Sequence, residues 1–500
     1  MPLAAYLAFV FILIIVLYYR YQVLLQYSFL YTDSDQNIMW GALNDFAHGI
    51  FKEPRFYGQN YNTFLEAFLA VPLYQLGYQA YTALPFVTMC LTLFPFVYLS
   101  FLSLQKRSLF YALVILSLPL AMPFEYGIIS SMPRGFVTAF PFAAIACTAI
   151  FYEAEKRFFF LAGFMSVLAF SFNSNAALII VPLLFYLWLQ NIQLKRFYFK
   201  TGAGLLLGAL LHWLSLQFYV QHPFYNIHHI SLNFTFENLI KGLSNLNYFL
   251  NFNAPYFWQH GGLVLVTMLL YALFFVRQKN KNAALTVIAM LLFLLFSFGL
   301  NKIYDGTDSL HFHSARMYLA LPLLLTFCFI LVKPRYEPNM LYFFLLIPMH
   351  YYQVQCASLE KKISDLTAQR TKEVVIVSQV KPILNDCRRI NAIAQTYKVN
   401  LFVVANHFYA DAYASGCKAC FDNFPNTLNT KFERRTWRLL EDENKIYQNV
   451  MIIDMDQKLD TSLSFLKKIP GTIDLYLVKN NSLKTMQLLD SLHIQVRRFR

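Results

Sequence analysis

The sequence predicts an α-helical polytopic membrane protein with about eleven spanning helices, followed by a C-terminal soluble α/β domain. Charged residues make up 14% of the 500 residues and aromatic residues 18%, whereas a soluble domain normally carries about 25% charge. Up to Gln355 the charges form short clusters between apolar runs of about 15–25 residues, the length that a spanning helix needs. From Cys356 onward the composition is that of a soluble protein. We therefore expect a membrane domain over 1–355 and a soluble domain over 356–500.

The apolar runs place the individual spans. The first run, 3–25, lacks the basic segment and the small-residue cleavage site of a signal peptide, so we expect a retained helix. The further predicted spans are 80–104, 108–124, 135–152, 158–172, 176–191, 201–220, 260–276, 283–300, 316–332 and 338–354. Residues 64–76 are also apolar, but this run is short and contains Glu66 and Pro72, which favours a helix at the membrane interface.

Lysine and arginine in the loops predict the sidedness of the membrane domain. Twelve basic residues crowd five short loops, near residues 106, 156, 196, 279 and 334. Only six lie in the four long segments 30–63, 121–134, 221–257 and 301–316. Because basic loops stay in the cytoplasm, we expect a cytoplasmic N-terminus in a bacterial inner membrane. The long loops and the C-terminal domain then lie outside.

The net charge of +14 does not indicate nucleic-acid binding. About half of it belongs to residues after Gln355, and most of the rest lies in the loops between spans. A basic excess in such loops is what membrane orientation requires. We therefore predict the lipid bilayer as a partner and no nucleic acid.

The seven cysteines do not form the pattern of a disulfide scaffold. Cys417 and Cys420 form an isolated C-x-x-C, which is too few ligands for a structural zinc site. A local disulfide and two free thiols both remain open. Two histidine groups, one at 311 and 313 and one at 222, 228 and 229, lack the tight spacing of a metal motif. Surface histidines beside aromatic residues are the favoured interpretation.

The C-terminal domain alternates strand and helix patterns. Short apolar, β-branched runs predict strands at 374–377, 401–404, 450–453, 473–478 and 494–496. Helical patterns occur near 383–397, 430–444, 459–468 and 481–492. The order predicts a small α/β domain with a mainly parallel sheet. The absence of nucleotide-binding motifs favours acceptor docking or subunit contact over nucleotide binding.

An acidic pair, Asp33 and Asp35, follows the first span directly. A carboxylate at the membrane edge can take a proton from an arriving hydroxyl group. Two carboxylates at i and i+2 can instead hold a divalent cation. An ordinary helix N-cap is a third interpretation. The pair alone does not decide between them.

The context of the pair carries a resemblance. A spanning helix, the acidic pair and an amphipathic stretch over 38–46 are followed by Gly-x-x-x-x-Pro, Tyr-Gly-Gln-x-Tyr and Leu-Glu-x-x-Leu-x-x-Pro-Leu-x-x-x-Gly, up to Gly77. The amphipathic spacing is typical of helices on a membrane surface. The segment resembles the first periplasmic loop of GT-C fold glycosyltransferases, which include protein O-mannosyltransferases and the lipid A aminoarabinose transferase. The resemblance covers residues 30–77 and does not extend into the C-terminal domain.

The resemblance implies an enzyme that uses a polyprenyl-phosphate-linked sugar and an essential acidic residue in this loop. It places the catalytic residue at Asp35, with Asp33 as second choice. Related sequences have Glu at the next position, where this chain has Gln36. The role of a second carboxylate is therefore open, and so is the need for a divalent cation. The same resemblance assigns substrate binding to Tyr57, Gln59 and Glu66, while a polar contact of an interfacial helix is the plainer interpretation of Glu66.

Two other outer segments offer charged residues. In segment 121–134, Glu125 is suited to hold a cation or an amino group of the acceptor. Arg134 either pairs with a lipid phosphate or simply anchors the loop at the membrane headgroups. In the last, Arg316-Met-Tyr-Leu-Ala-Leu-Pro322 is similar to an Arg-Tyr-Leu-x-x-x-Pro entry of related enzymes, with one residue added after the arginine and one fewer before the proline. Cationic groups there would stabilise a departing phosphate, with Arg316 preferred and Lys302 in reserve.

We therefore expect an inverting glycosyltransferase that moves a sugar from a polyprenyl-phosphate donor to a lipid, glycan or protein acceptor. A flippase or transporter of lipid-linked sugars is the main alternative, but the predicted spans are nearly free of the charged residues that mark a transport path. Arg20 is the clear exception, and it is expected to snorkel or to lie at a helix end. A non-catalytic scaffold with an external binding domain is the third interpretation.

Overall fold

The computed structural model describes residues 3–152, 155, 157–225, 232–255, 258, 260–332, 345–369, 378–405, 412–430, 433–454, 459, 463–470, 472 and 474–496. Most of these residues are helical, and a small sheet lies in the C-terminal part. The chain divides into two compact units. Unit 1 comprises residues 1–28, 85–214 and 230–375, and unit 2 comprises 29–84, 215–229 and 376–500. The predicted boundary after residue 355 stays a prediction.

The helices are α1 (Leu3–Val23), α2 (Ser34–Ala47), α3 (Leu65–Gln75), α4 (Ala80–Lys106), α5 (Leu109–Ala121), α6 (Phe124–Ile129), α7 (Phe140–Ala146), α8 (Thr148–Phe151), α9 (Arg157–Phe172), α10 (Ala177–Asn191), α11 (Lys195–Gln221), α12 (Phe236–Ser244), α13 (Leu246–Leu250), α14 (Leu263–Arg277), α15 (Lys281–Ser297), α16 (Leu321–Leu331), α17 (Leu346–Gln369), α18 (Val380–Thr396), α19 (Cys417–Cys420), α20 (Thr436–Asp442) and α21 (Thr485–Ser491). The strands are β1 (Tyr31–Thr32), β2 (Ser378–Gln379), β3 (Leu401–Ala405), β4 (Asn426–Asn429), β5 (Asn449–Asp454), β6 (Leu466–Lys468) and β7 (Leu475–Lys479).

Five helices of the described chain are long and apolar enough to cross a membrane: Leu3–Ser28, Ala80–Lys106, Ser174–Asn191, Lys195–Gln221 and Ser314–Leu331. Shorter apolar helices occupy five more of the predicted spans, at Leu109–Ala121, Phe140–Phe151, Arg157–Phe172, Leu263–Arg277 and Lys281–Ser297. The last predicted span, 338–354, begins in residues outside the described ones. A multi-pass helical architecture is therefore supported, and the number eleven stays a prediction.

Helices α9 and α11 of unit 1 meet backbone to backbone. A methyl group at Gly163 would overlap the carbonyl oxygen of Thr201, and one at Gly204 would overlap that of Phe160. Small residues at such crossings let helix backbones approach closely, which is how helices commonly associate in membranes. The two glycines therefore fix where these helices cross.

The C-terminal part of unit 2 is built on a five-stranded sheet with strand order β4-β3-β5-β7-β6. Strand β3 is parallel to β4 and β5, whereas β7 pairs antiparallel with β5 and with β6. Alternate residues of β3 and β5 enter two apolar cores, one against α18 and one against α20 and α21. Because helices cover both faces, β3 and the middle of β5 are apolar on both sides of the sheet.

Several predictions for this domain are wrong in detail. The sheet was expected to be mainly parallel and is mixed, because β7 runs antiparallel to both of its neighbours, β5 and β6. The helix predicted over 459–468 is wrong, since strand β6 occupies Leu466–Lys468. The described residues 494–496 do not form the predicted final strand. The strand predicted at 374–377 lies outside the described residues.

Helix α2 packs against the C-terminal residues of unit 2. Every residue from Gln36 to Phe46 is buried, so the prediction of a helix lying on a membrane surface is wrong for this segment. A Cβ atom at Gly41 would lie 3.0 Å from Cβ of Ser415. Strand β1 pairs with β2, with Tyr31 opposite Gln379. The first loop and the C-terminal domain thus fold together.

Candidate functional site

Asp33 caps helix α2. Its side chain accepts a hydrogen bond from the backbone N–H of Gln36 at 3.0 Å and another from the Gln36 side-chain amide at 2.9 Å. The residue is 2% exposed. Satisfying free N–H groups is the ordinary role of an N-cap aspartate. The N-cap interpretation is therefore correct for Asp33.

Asp35 has a different environment, although it lies only two residues further along the chain. It occupies the first turn of α2, and its side chain is 24% exposed. Its Oδ1 atom lies 3.1 Å from a guanidinium nitrogen of Arg434, whose side chain is 14% exposed. Of the acidic pair, Asp35 is thus the residue that solvent or a substrate can reach.

The acidic pair does not fit a divalent cation. Both oxygens of Asp33 accept hydrogen bonds from Gln36, and Asp35 Oδ1 faces a cationic side chain. Within the described ranges, no three His, Cys, Asp or Glu side chains come together in a way that could hold a metal ion. A cation at this site would have to displace existing partners of both carboxylates.

Tyr57 belongs to a buried polar cluster beneath α2. Its hydroxyl group donates to Asp45 Oδ2 at 2.8 Å. Burial raises the pKa of Asp45, while the Arg435 guanidinium and the Tyr57 hydroxyl act against that rise. Arg435 itself lies 3.0 Å from the carboxylate of Glu433. Since Tyr57 is 1% exposed, it supports the loop from inside.

Two further charged residues of this loop, Glu53 and Arg55, were not predicted from the sequence. The hydroxyl group of Tyr219 donates to Glu53 at 3.2 Å, and both Nε and Nη2 of Arg55 donate to Ser215. Burial raises the pKa of Glu53 well above its usual range. The only sequence signal is an unusual charged run, Lys52-Glu-Pro-Arg55, inside an aromatic-rich loop.

The other two candidates in unit 2 are also enclosed. Gln59 is 9% exposed, and its side chain accepts a hydrogen bond from Asn62 at 3.2 Å. Glu66 lies in the first turn of α3 and is fully buried. A substrate role for either residue therefore stays a prediction.

Arg316 is buried in unit 1, in a short 3₁₀ turn before α16. Its guanidinium group donates to the carbonyl oxygens of Phe312 and His313, at 2.7 and 3.1 Å, and to that of Asp305. It also stacks 3.9 Å above the ring of Phe312. The carboxylate of Asp305 is 3.9 Å away. Arg316 thus holds the 305–316 segment together through its own backbone and through Asp305.

Arg134, from the chain that follows α6, packs against the same segment. Its guanidinium group donates to the carbonyl oxygen of His311 and stacks over the rings of Phe312 and Phe136, at 5.3 and 5.2 Å. Two arginines therefore share the Phe312 ring. Together they concentrate positive charge at one place of unit 1, as binding of a phosphate would require.

Lys302 and Glu125 are the remaining candidates in unit 1. The ammonium group of Lys302 pairs with the carboxylate of Asp305 at 2.5 Å, so it adjoins the arginine pair through that residue. Glu125 is half-buried in the first turn of the short helix α6. Its predicted contact with an acceptor stays a prediction.

The expectation of surface histidines is wrong for His311 and His313, which are both buried. His313 packs against Tyr248 and Phe252, with ring centroids 4.5 and 4.7 Å away. Burial lowers its pKa to about 4, so it is neutral at pH 7. The prediction of aromatic neighbours is confirmed for His313, and these rings are part of what buries it. Residues 228 and 229 lie outside the described residues.

The candidate residues therefore fall into two groups. Unit 2 brings together the acidic pair, the Tyr57 cluster and Arg434. Unit 1 brings together Arg134, Arg316 and Lys302 around the 305–316 segment. Arg434 was missed because it lies in a charged run of the C-terminal domain, far along the chain from the acidic pair. No protein-family model matches the chain, and no curated protein matches it.

Proposed function

We propose that the chain is a GT-C type glycosyltransferase of a bacterial inner membrane. It moves a sugar from a polyprenyl-phosphate donor to a lipid, glycan or protein acceptor at the outer face. The observation that carries the proposal is the difference within the acidic pair. Asp33 is committed to the helix N-terminus, while Asp35 is accessible and held in a defined position. A positioned, accessible carboxylate is what a catalytic base requires.

In the proposed reaction, Asp35 removes a proton from the acceptor hydroxyl or amine. The acceptor atom then forms a bond to the anomeric carbon, with inversion, as the bond from that carbon to the phosphate oxygen breaks. The bonding electrons leave with polyprenyl phosphate. General base catalysis of this kind contributes typically about 10²–10⁴-fold to a rate.

The arginine pair of unit 1 is assigned to the leaving group. Arg134 and Arg316 share the Phe312 ring, and each donates to a backbone carbonyl oxygen of the 305–316 segment. Such bonds hold the guanidinium groups in place. Fixed cationic groups stabilise the charge that develops on a departing phosphate. Lys302 is a reserve for the same role.

The disulfide between Cys387 and Cys417 supports the proposed sidedness. Disulfides form and persist outside the cytoplasm. The disulfide lies in the C-terminal part of unit 2, which also contains the first loop. An external unit 2 agrees with the crowding of basic residues in the short loops.

One observation favours the transporter alternative. Arg20 lies in the last turn of α1, as the expectation of a position at a helix end has it, and inside the first candidate span. Its side chain is 1% exposed and therefore buried in the protein rather than snorkelling to the surface. Its guanidinium group donates to the Ser130 hydroxyl at 2.7 Å and lies over the Tyr126 ring. Charges inside spans often mark transport paths. A transporter would depend on Arg20 and tolerate changes at Asp35.

Mass spectrometry of cell-envelope glycolipids and glycans tests the proposal. A deletion strain is complemented with wild type, Asp35→Asn or the exposed control Asp490→Asn, each at matched membrane abundance. We expect wild type and the control to restore a missing sugar and Asp35→Asn to fail. If Asp35→Asn restores the sugar fully, the transferase proposal is wrong, and an additional requirement for Arg20 would then favour transport over a scaffold.

A further inference from the structure

The C-terminal domain places a cationic side chain against the proposed base. Arg434 lies 3.1 Å from Asp35, and the two residues are 399 positions apart in the sequence. The Arg434 side chain is 14% exposed, whereas that of Asp35 keeps the 24% exposure through which an acceptor can reach it. A pair that is partly buried has less freedom than the exposed ion pairs that contribute little to stability.

The segment that carries Arg434 is anchored on both sides of this residue. The Glu433 carboxylate accepts hydrogen bonds from the backbone N–H groups of Asn429 and Arg435, both at 3.0 Å. Arg435 also donates to the carbonyl oxygen of Thr427 in β4 at 3.2 Å. Arg434 therefore extends from a segment that is fastened to strand β4 of the sheet.

The helix that carries Asp35 is fastened to the same domain. The close approach between Gly41 and Ser415 holds α2 against the residues that precede α19. The hydroxyl group of Tyr74, in α3, donates to the carbonyl oxygen of Ala419 at 2.8 Å. Both members of the ion pair thus belong to elements with a fixed separation. Catalytic groups need this kind of support, since small displacements reduce rates strongly.

We propose that Arg434 is a positioning residue for Asp35, so that the C-terminal domain completes the catalytic site. Arg434 does not take part in proton transfer. It holds the carboxylate in the orientation that faces the acceptor. This inference rests on the proposed function of Asp35, and it gives the C-terminal domain a role beyond acceptor docking or subunit contact.

A second ion pair offers a matched control. Lys52, in the first loop, lies 2.7 Å from Glu441 of α20. This pair joins the same two parts of unit 2 as the pair between Arg434 and Asp35, but it involves neither member of the acidic pair. Deleting it tests whether an ion pair between loop and domain matters in itself.

The experiment compares Arg434→Ala, Arg434→Lys, Lys52→Ala and Asp35→Asn in the complemented deletion strain. The readout is the amount of sugar-modified product per unit of membrane-bound protein, with and without millimolar guanidinium chloride. We expect Arg434→Ala to lose about 10–100-fold, since misplacing a reacting group by about 1 Å can cost that much. Added guanidinium should restore part of the loss. Lys52→Ala should match wild type.

Arg434→Lys distinguishes a positioning role from a requirement for folding. Lysine retains the charge but not the planar fork of donors, so we expect product intermediate between wild type and Arg434→Ala. If Arg434→Ala does not accumulate, Arg434→Lys decides: reduced product supports the inference, and wild-type product overturns it.

The outcomes separate this inference from the proposed function. If Asp35→Asn is inactive while Arg434→Ala makes wild-type amounts of product, the inference is wrong and the transferase proposal stands. A loss in Arg434→Ala at normal abundance that neither guanidinium nor lysine relieves also overturns it. If Asp35→Asn is active, the proposed function itself fails.

Discussion

The side-chain amide of Gln36 donates to Oδ2 of Asp33 over 2.9 Å, while its backbone N–H donates to Oδ1 of the same carboxylate at 3.0 Å. One residue thus satisfies both oxygens of the N-cap. A glutamate at this position, as in the enzymes that the loop resembles, would instead bring two carboxylates together. The amide therefore explains how this chain can bury Asp33.

Replacing Gln36 with Glu should destabilise unit 2. The change removes a hydrogen bond to a charged group and adds like-charge repulsion, so we expect a loss of about 1.5–3 kcal/mol. Thermal unfolding of the purified protein in detergent measures the effect. Gln79→Glu is the control, since Gln79 is exposed. Equal unfolding temperatures for the two variants would contradict the role of Gln36.

Changes at Asp33 should mainly affect stability, whereas changes at Asp35 should mainly affect activity. Asp33→Ala removes the N-cap and should lower the free energy of unfolding by about 0.5–2 kcal/mol, whereas Asp33→Asn should lose less because Asn keeps one acceptor oxygen for the backbone N–H of Gln36. Asp35→Asn should leave the unfolding temperature nearly unchanged and abolish transfer. Unfolding curves and product analysis on the same preparations check both expectations. Loss of activity in Asp33→Asn, with stability retained, would show that Asp33 takes part in the chemistry.

Glu53 should make stability depend on pH. Burial raises its pKa in the folded state well above the usual range, so the folded protein binds this proton more tightly than the unfolded chain. The favourable contribution is complete below about pH 4.3, the ordinary glutamate pKa, and it is lost as the pH rises toward the folded-state pKa.

Glu53→Gln removes that dependence. Between pH 5 and pH 8, the unfolding temperature of wild type should fall relative to that of the variant. The exposed residue Glu237 provides the control Glu237→Gln. Parallel curves for wild type and Glu53→Gln across this range would show that Glu53 does not bind a proton in the folded state.

The disulfide joins Cys387 and Cys417, which are 30 residues apart, and leaves Cys420 as a free thiol. Both candidate states of the C-x-x-C motif, a local disulfide and two free thiols, are therefore incorrect. Cys387→Ser should cost about 3–4 kcal/mol by the chain-entropy estimate for a loop of this length, whereas Cys420→Ser should not. Peptide mapping without reduction identifies the bond. Finding Cys417 linked to Cys420 would contradict the structure.

The crossing of α9 and α11 provides a test within one helix. A methyl group at Gly204 would overlap the Phe160 carbonyl oxygen, whereas one at Gly202 would meet open space. Gly204→Ala should therefore destabilise by about 1–3 kcal/mol, and Gly202→Ala should stabilise by up to about 1 kcal/mol. Unfolding in detergent gives both values. A stabilising Gly204→Ala would show that the helices do not touch there.

Local patterns predicted much of the fold. Apolar runs located the long helices, and β-branched runs located β3, β5 and β7 within one or two residues. The N-cap at Asp33 was one of three interpretations that the sequence left open, and the structure selects it for this residue. These features depend on neighbours along the chain, which a sequence displays directly.

Long-range partners were not predictable in the same way. The pairing of Tyr31 with Gln379, the contact between Asp35 and Arg434 and the Cys387–Cys417 bond each join residues whose own neighbourhoods give no sign of the partner. The incorrect prediction of a surface helix for α2 has the same cause, since the residues that cover α2 are distant in the sequence. Its amphipathic pattern shows which face is apolar, but not what covers the polar face.

The pairing of β1 with β2 has a consequence for synthesis. Tyr31 cannot pair with Gln379 until residue 379 has been synthesised. At about 5–20 residues per second, the ribosome needs roughly 20–70 s to make the intervening chain. During that interval α2 lacks the residues that bury it in the finished protein. Unit 2 therefore assembles only after most of the chain has been inserted. Nascent chains stalled before residue 378 should expose the first loop to added protease.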